Sequence, residues 1–350
     1  MKKLFPVIWL VFTFVLVVGC ASEKEASQGY NGKEKEQKKA ASVRGKLNIE
    51  DYFPMVENVK YVYEGKGNEY ASYHVMVDYL EKGRVQQRID NGGTVLANVI
   101  QLKDGKLKRI LTREEAYYRE NLLKAKGGEE EILLMDPLVK GTSWKLKDGR
   151  IRKITNTAAS VNTPSGSYRA IEVMTKDKDS QTLDYYAKGI GLVKSVFRSG
   201  EMEVSSSLSK VEENVPFVQE VRFFYPNIDD EKLSDQTKKI SFKTNDLTRK
   251  KLEETYKQPV SPPLGKVFSK NTKINSLYLN KDGIVYIDLN QAFMKEMNAG
   301  AGYESMILQS IANTFGQYYH AEKVILTIDG KLYESGHISM KKGEYLPVQY

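Results

Sequence analysis

The sequence holds one cysteine and three histidines in 350 residues. A lone cysteine excludes disulfides within the chain and any cysteine-based metal cluster, so the fold must rest on its own core. The histidines, His74, His320 and His337, stand far apart in the chain. None falls in a metal-ligand spacing such as His-x-x-x-His, so no metal site and no cofactor is expected. A Gly-x-Ser-x-Gly elbow for a serine nucleophile is absent. So is the dense Arg/Lys stripe interleaved with aromatics that would hold nucleic acid.

What the sequence has begins at its start. Lys2 and Lys3 precede Leu4 to Val18, a stretch with no charge and a single hydroxyl, Thr13. This is the layout of an export signal. A membrane-spanning helix needs about 20 apolar residues, whereas this run stops at Gly19-Cys20 and gives way to Ala-Ser-Glu-Lys-Glu. Cleavage is therefore expected rather than a span. Val17-Val18-Gly19-Cys20 resembles the lipobox of bacterial lipoproteins, and the resemblance implies a diacylglycerol on the Cys20 thiol and attachment to the extracytoplasmic face of the cell membrane. An acylated Cys20 leaves no cysteine nucleophile elsewhere. Residues 1–19 are thus read as signal and 20–46 as lipidated cysteine plus tether. The tether is rich in Lys, Glu, Gln, Gly, Ser and Ala, with few large side chains whose burial would offset the entropy of ordering it. A flexible segment of that length reaches roughly 25 to 30 Å.

The formal charge is +8, lowered by two once Lys2 and Lys3 leave with the signal. That mild excess suits anionic lipid or cell-wall polymers, and is equally what a soluble surface carries.

Residues 47–213 read as antiparallel strands. Short runs of Tyr, Val, Ile and Thr are separated by turns such as Asn91-Gly92-Gly93, Asp104-Gly105 and Ser199-Gly200. Alternation is visible in Tyr73 to Tyr79 and in Tyr168 to Val173, giving one apolar and one polar face. Arg113 to Lys124 breaks the pattern, where Thr112 followed by Glu114-Glu115-Ala116 suits one short helix or a loop turn. Tyr61, Tyr63, Tyr73, Tyr79, Tyr117, Tyr118, Tyr185 and Tyr186 are candidates for an aromatic concave face that holds lipid or glycan, although Tyr is common on ordinary sheets too. The hairpin Asp184 to Lys194 looks like that of curved sheets in bacterial envelope lipoproteins. The whole region resembles the amino-terminal half of clostridial-type lipoproteins that carry a germination-related domain behind it.

After Val215-Pro216 the pattern changes, and residues 216–350 read as strands alternating with helices. Phe217 to Tyr225 suits a strand, and Thr244 or Asn245 a cap for a helix through Asp246 to Tyr256, stopped by Pro259 and Pro262-Pro263. Ile274 to Leu279 and Ile284 to Leu289 flank a glycine turn as a hairpin. Tyr303, Ile307, Ile311 and Phe315 recur at helical spacing, and Lys323 to Ile328 closes as a strand before Asp329-Gly330. This order resembles the GerMN domain of sporulation and spore germination. The matching residues are Val285, Asp288 and Leu289, then Gly300-Ala301-Gly302 with Glu304, then Ile311, Thr314, Phe315 and Gln317, then Val324 to Gly330.

The resemblance implies an α+β protein: a curved antiparallel sheet domain followed by a small α/β domain akin to ring-building modules. It implies binding or assembly, not catalysis. Gly300 and Gly302 could present backbone amides to an anion, or simply let a helix begin. Asp229-Asp230 and Glu114-Glu115 sit in polar turns, where nothing would raise one pKa for acid catalysis. Asp288 is placed to cap the short helix Asn290 to Met297. The expected function is a non-enzymatic envelope module whose partners are the membrane, through its lipid, and envelope proteins or wall polymer; the alternative is a lipid- or glycan-binding lipoprotein. The oligomeric state is not legible.

Overall fold

The computed structural model describes residues 46–349. The expected signal segment, with Val17, Val18 and Gly19, together with Cys20 and all but the last residue of the tether, lies outside the described residues. From Leu47 onward the chain packs as one compact unit built on two large hydrophobic cores. No helix among the described residues is long and apolar enough to cross a membrane.

The first core lies inside a twelve-stranded antiparallel sheet. A short helix, α1 (Ile49–Tyr52), leads into β1 (Val59–Lys66), β2 (Tyr73–Glu81), β3 (Arg84–Asp90), β4 (Val95–Lys103), β5 (Lys106–Arg113) and β6 (Glu131–Met135). The second run is β7 (Ser143–Lys145), β8 (Ile151–Thr163), β9 (Gly166–Lys176), β10 (Ser180–Ala187), β11 (Gly191–Ser199) and β12 (Met202–Glu213). Each run is a meander of adjacent hairpins, and the two join where β1 pairs with β12.

A twisted sheet of this many strands curls rather than staying flat. Register shifts in the β1–β12, β2–β3, β4–β5, β8–β9 and β10–β11 pairings add bulges that sharpen the bend. The two ends, β6 and β7, are thereby brought together. Trp144 donates its indole N–H to the Ile132 carbonyl at 3.1 Å, and Arg152 donates to the same carbonyl at 2.7 Å. Side chains thus satisfy an edge carbonyl that would otherwise invite a foreign strand.

The second core begins with a long hairpin of β13 (Phe217–Asn227) and β14 (Lys232–Phe242), followed by α2 (Thr248–Tyr256). A small sheet follows, made of β15 (Ile274–Leu279), β16 (Val285–Leu289), β17 (Lys323–Ile328), β18 (Lys331–Leu332) and β19 (Leu346–Pro347). β16 and β17 run parallel, a pairing that needs a crossover. That crossover contains α3 (Ala292–Lys295) and the long α4 (Ala301–Tyr318). Ile307, Ile311 and Phe315 recur on the buried face of α4, against Tyr256, Phe268 and β13. The architecture is therefore the expected one, a large curved antiparallel sheet followed by a smaller α/β region.

Of the local expectations, the loop turn at residues 113–124 holds over the short helix, and the cap of α2 is corrected. Residues 113–124 contain no helix. Thr112 donates its hydroxyl to Asn98 within the sheet instead of capping, and Glu115 takes a positive φ of 52° in a turn. Neither Thr244 nor Asn245 caps α2, whose cap position is Leu247 with no side-chain bond. Thr244 exchanges hydrogen bonds with Asn58, each at 2.8 Å, and Asn245 grips both backbone groups of Leu80, so both stitch the second region to the first. Strand β14 has no counterpart among the expected elements, because Lys232 to Lys239 lie largely toward solvent without an apolar period and only Ile240 and Phe242 alternate into the core.

The stretch 113–124 serves as the seam between the regions. Asp78, Arg88 and Arg119 have side chains 0 %, 3 % and 1 % exposed. Asp78 meets Arg88 at 2.9 Å and the Nε of Arg119 at 3.6 Å. Arg119 also donates to the Asp78 carbonyl at 2.6 Å, the Lys243 carbonyl at 3.1 Å, the Asp246 carbonyl and the Tyr79 hydroxyl. Its own N–H donates to the Tyr318 hydroxyl of α4 at 3.1 Å.

Candidate functional site

The concave face of the curved sheet encloses a cavity of about 280 Å³. Four of the eight candidate tyrosines line it: Tyr61, Tyr63, Tyr73 and Tyr186. Tyr63 stacks on Tyr73 with centroids 4.5 Å apart and donates its hydroxyl to the Leu192 carbonyl at 2.7 Å. Phe53 and Pro54, just after α1, cover one side. Aliphatic walls come from Val75, Ile89, Ile100 and Leu133.

The other four tyrosines lie elsewhere. A bulge between Val77 and Tyr79 turns Tyr79 away from the alternation that holds Tyr73 and Val75 inside. It packs in a separate outer cluster under the Arg119 guanidinium, 4.1 Å from the ring centroid. Tyr118 packs on Tyr319 and the exposed Tyr117 faces His320, both at the seam. Tyr185 sits beside Glu172 and Arg198, away from the cavity.

Sequence reading missed the polar side of the cavity. Arg109, Glu131, Arg152 and Asp184 all line it. Glu131 bonds to Arg152 at 2.6 Å and to Arg109, and Arg152 also donates to Thr175 at 2.7 Å. Asp184 accepts the Ser195 hydroxyl at 2.6 Å. Burial pushes the Asp184 carboxyl above its ordinary pKa, against the pull of Ser195 and Arg152. Burial likewise raises Tyr73 and Tyr186, and the Asp184 charge adds to both. One signal was available: Asp184 and Tyr186 are two apart in a strand, which puts them on one face.

The motif positions of the second region fall in two places. Asp288, Asp329 and Gly330 converge at one end of the small sheet. Asp288 accepts from Thr327 at 2.6 Å and from the Gly330 N–H at 2.7 Å. Asn275 bridges Asp288 and Asp329 at 2.9 and 3.0 Å. Asp329 and Gly330 both take positive φ, 47° and 74°, which the tight turn from β17 to β18 requires. Asp288 therefore ties down this turn and does not cap the short helix; its role as a cap is corrected. The N–H of Gln291, at the start of the short helix, is taken by Asp329 at 3.3 Å.

At the other place, Gly300 is the extended residue that opens α4, with Gly302 in its first turn. Glu304 is buried there and accepts the Tyr333 hydroxyl at 2.6 Å. Thr314, fully buried, accepts the Phe224 N–H at 2.9 Å and lies 3.1 Å from the Tyr256 hydroxyl, joining α4 to β13 and α2. These side chains are spent on holding the region together.

Partial burial works to raise the Asp288 pKa, but the bonds from Thr327, Gly330 and Asn275 outweigh it and hold the carboxyl below its ordinary value. A depressed carboxylate stabilises the folded state above its unfolded pKa, about 3.9, and that stabilisation is lost as pH falls through the folded value. Asp288→Asn is expected to be less stable at neutral pH and to lose less on acidification. Thermal melts from about pH 2 to pH 7 would show the acid limb flattened.

Among the described residues no three His, Cys, Asp or Glu side chains gather as a metal site. His74 pairs with Asp90 at 3.9 Å, and burial lowers its pKa against that attraction.

Residues 222–334 match the Germane family model, described as sporulation and spore germination. The first GerMN domain of the sporulation protein GerM from Bacillus subtilis is similar over 36% of this chain and 94% of that one, at 20% identity and a TM-score of 0.27. A protein described as exported and YmcC-like in fold, from Bacteroides fragilis, is similar over 46% of this chain and 98% of that one, at 13% identity and a TM-score of 0.29. A protein described as a lipoprotein from Clostridium perfringens is similar over 38% of this chain and 87% of that one, at 19% identity and a TM-score of 0.25. No curated protein matches.

Proposed function

We propose that this chain is a cell-envelope lipoprotein, held on the extracytoplasmic face of the membrane by an acyl group on Cys20. It acts as a non-enzymatic binding and assembly module in sporulation, germination or cell-wall machinery. Its two working parts, 47–213 and 216–350, are carried on one body. The observation that supports this reading is the Germane match at 222–334. The motif residues within it add support, because Asp288, Glu304, Thr314 and Asp329 are engaged in internal hydrogen bonds that shape a docking body. Labelled full-length chain added to envelope fractions of its own organism should be retained saturably and displaced by unlabelled chain, with no turnover of wall or lipid. Retention that does not saturate, or none, contradicts the proposal.

A second reading concerns the first region, as the holder of a small ligand. The cavity favours it, since a space of that volume approaches the lower end of small-molecule sites.

A further inference from the structure

The cavity inside the curved sheet has more polar reach than its neighbours use. One oxygen of Asp184 accepts from Ser195. Its other oxygen and the hydroxyls of Tyr73 and Tyr186 line the cavity with no hydrogen-bond partner among the described residues. Tyr186 is only 5 % exposed. These atoms are open to the cavity rather than sealed from solvent, so a ligand entering it can bond to them in place of water.

The class of ligand follows from three features. The ionisable groups balance in number, Arg109 and Arg152 against Glu131 and Asp184, so no excess of one sign marks the site for an ion. The polar groups come from both runs of the sheet, Tyr73, Gln87 and Asn98 on one side and Asp184 and Tyr186 on the other. They therefore surround the space, whereas an acyl chain would need one polar end and a dry tunnel. Aromatic rings stand among them, offering apolar faces beside hydroxyls.

We propose that this cavity binds an uncharged sugar of one or two rings, with Asp184, Tyr73 and Tyr186 bonding its hydroxyls and the tyrosine rings packing on its apolar face. The proposal rests on the second reading above, that the sheet holds a ligand.

The test titrates the full chain with N-acetylglucosamine, its β-1,4-linked disaccharide, glucose, maltose and octanoate, followed by calorimetry and saturation-transfer NMR. One of the sugars should bind at a single site, undisplaced by octanoate. Asp184→Asn and Tyr186→Phe, each close to the original in volume, should weaken it about tenfold while the thermal midpoint shows the fold intact. Sugar binding unchanged in both variants overturns the proposal by placing the site elsewhere. Octanoate binding without sugar binding overturns the sugar class and leaves the ligand-holding reading standing. If no probe binds, the sugar proposal falls, and a bare mass for protein extracted from its own membrane, by native mass spectrometry, takes the ligand-holding reading with it.

Discussion

Asp78→Asn is expected to cost about 3–5 kcal/mol of stability, the range for breaking a buried ion pair by removing one partner. Asp78 is the single carboxylate between Arg88 and Arg119 in this buried cluster, so its neutralisation leaves two guanidiniums facing each other out of water. The damage should be directional. Arg119 ties the carbonyls of Asp78, Lys243 and Asp246, which belong to both regions, and its N–H engages Tyr318 of α4. Calorimetry of the parent chain should show one transition, and of Asp78→Asn a lower one that splits in two as the cores uncouple. Arg222→Gln provides the contrast. The Arg222–Asp235 pair meets at 2.9 Å on the surface of the β13–β14 hairpin, and exposed pairs contribute at most about 1 kcal/mol. A loss for Asp78→Asn no greater than for Arg222→Gln would remove the seam from the description of this molecule.

The strand alternation of residues 47–213 and the helical spacing of Ile307, Ile311 and Phe315 were legible because burial imposes a period on apolar residues. The order of the small sheet was legible through its motif residues, which hold a tight turn and a helix in place. What escaped is polar. β14 faces solvent over most of its length, and only Ile240 and Phe242 at its end alternate into the core. Thr244 and Asn245 have the side chains of helix caps, yet their partners are Asn58 and Leu80, more than a hundred residues away. Local propensity cannot register such distant bonds, and tertiary contacts override it. Arg119 reads as one charged residue among many in an irregular stretch, and only the fold shows it buried.

The candidate site divides in the same way. Tyr61, Tyr63, Tyr73 and Tyr186 are legible as aromatics in a strand-rich region, and the sheet gathers them. Tyr79 was misplaced by one bulge, which no pattern in the sequence marks. Arg109, Glu131, Arg152 and Asp184 are not legible as inward residues, because charged side chains are mostly exposed. Glu131 pairs with Arg109 and Arg152 across β5, β6 and β8, which makes the burial of Arg152 tolerable, and Asp184 is bonded to Ser195.

The proposal that the chain works at the envelope depends on Cys20, and its substitution has the largest expected effect on where the protein resides. One acyl chain binds a membrane only marginally, whereas two anchor it stably; a diacylglycerol supplies two. A serine hydroxyl in place of the thiol cannot accept that group, and nothing among the described helices substitutes for it as a span. The most direct measurement is the fractionation and intact mass of the native protein and of Cys20→Ser expressed in the same host. The native chain should sediment with membranes and begin at Cys20 with the added mass of a diacylglycerol, while Cys20→Ser should appear in the medium or remain uncleaved with its signal attached. A Cys20→Ser protein that is trimmed at the same position and still held by the membrane would contradict the account.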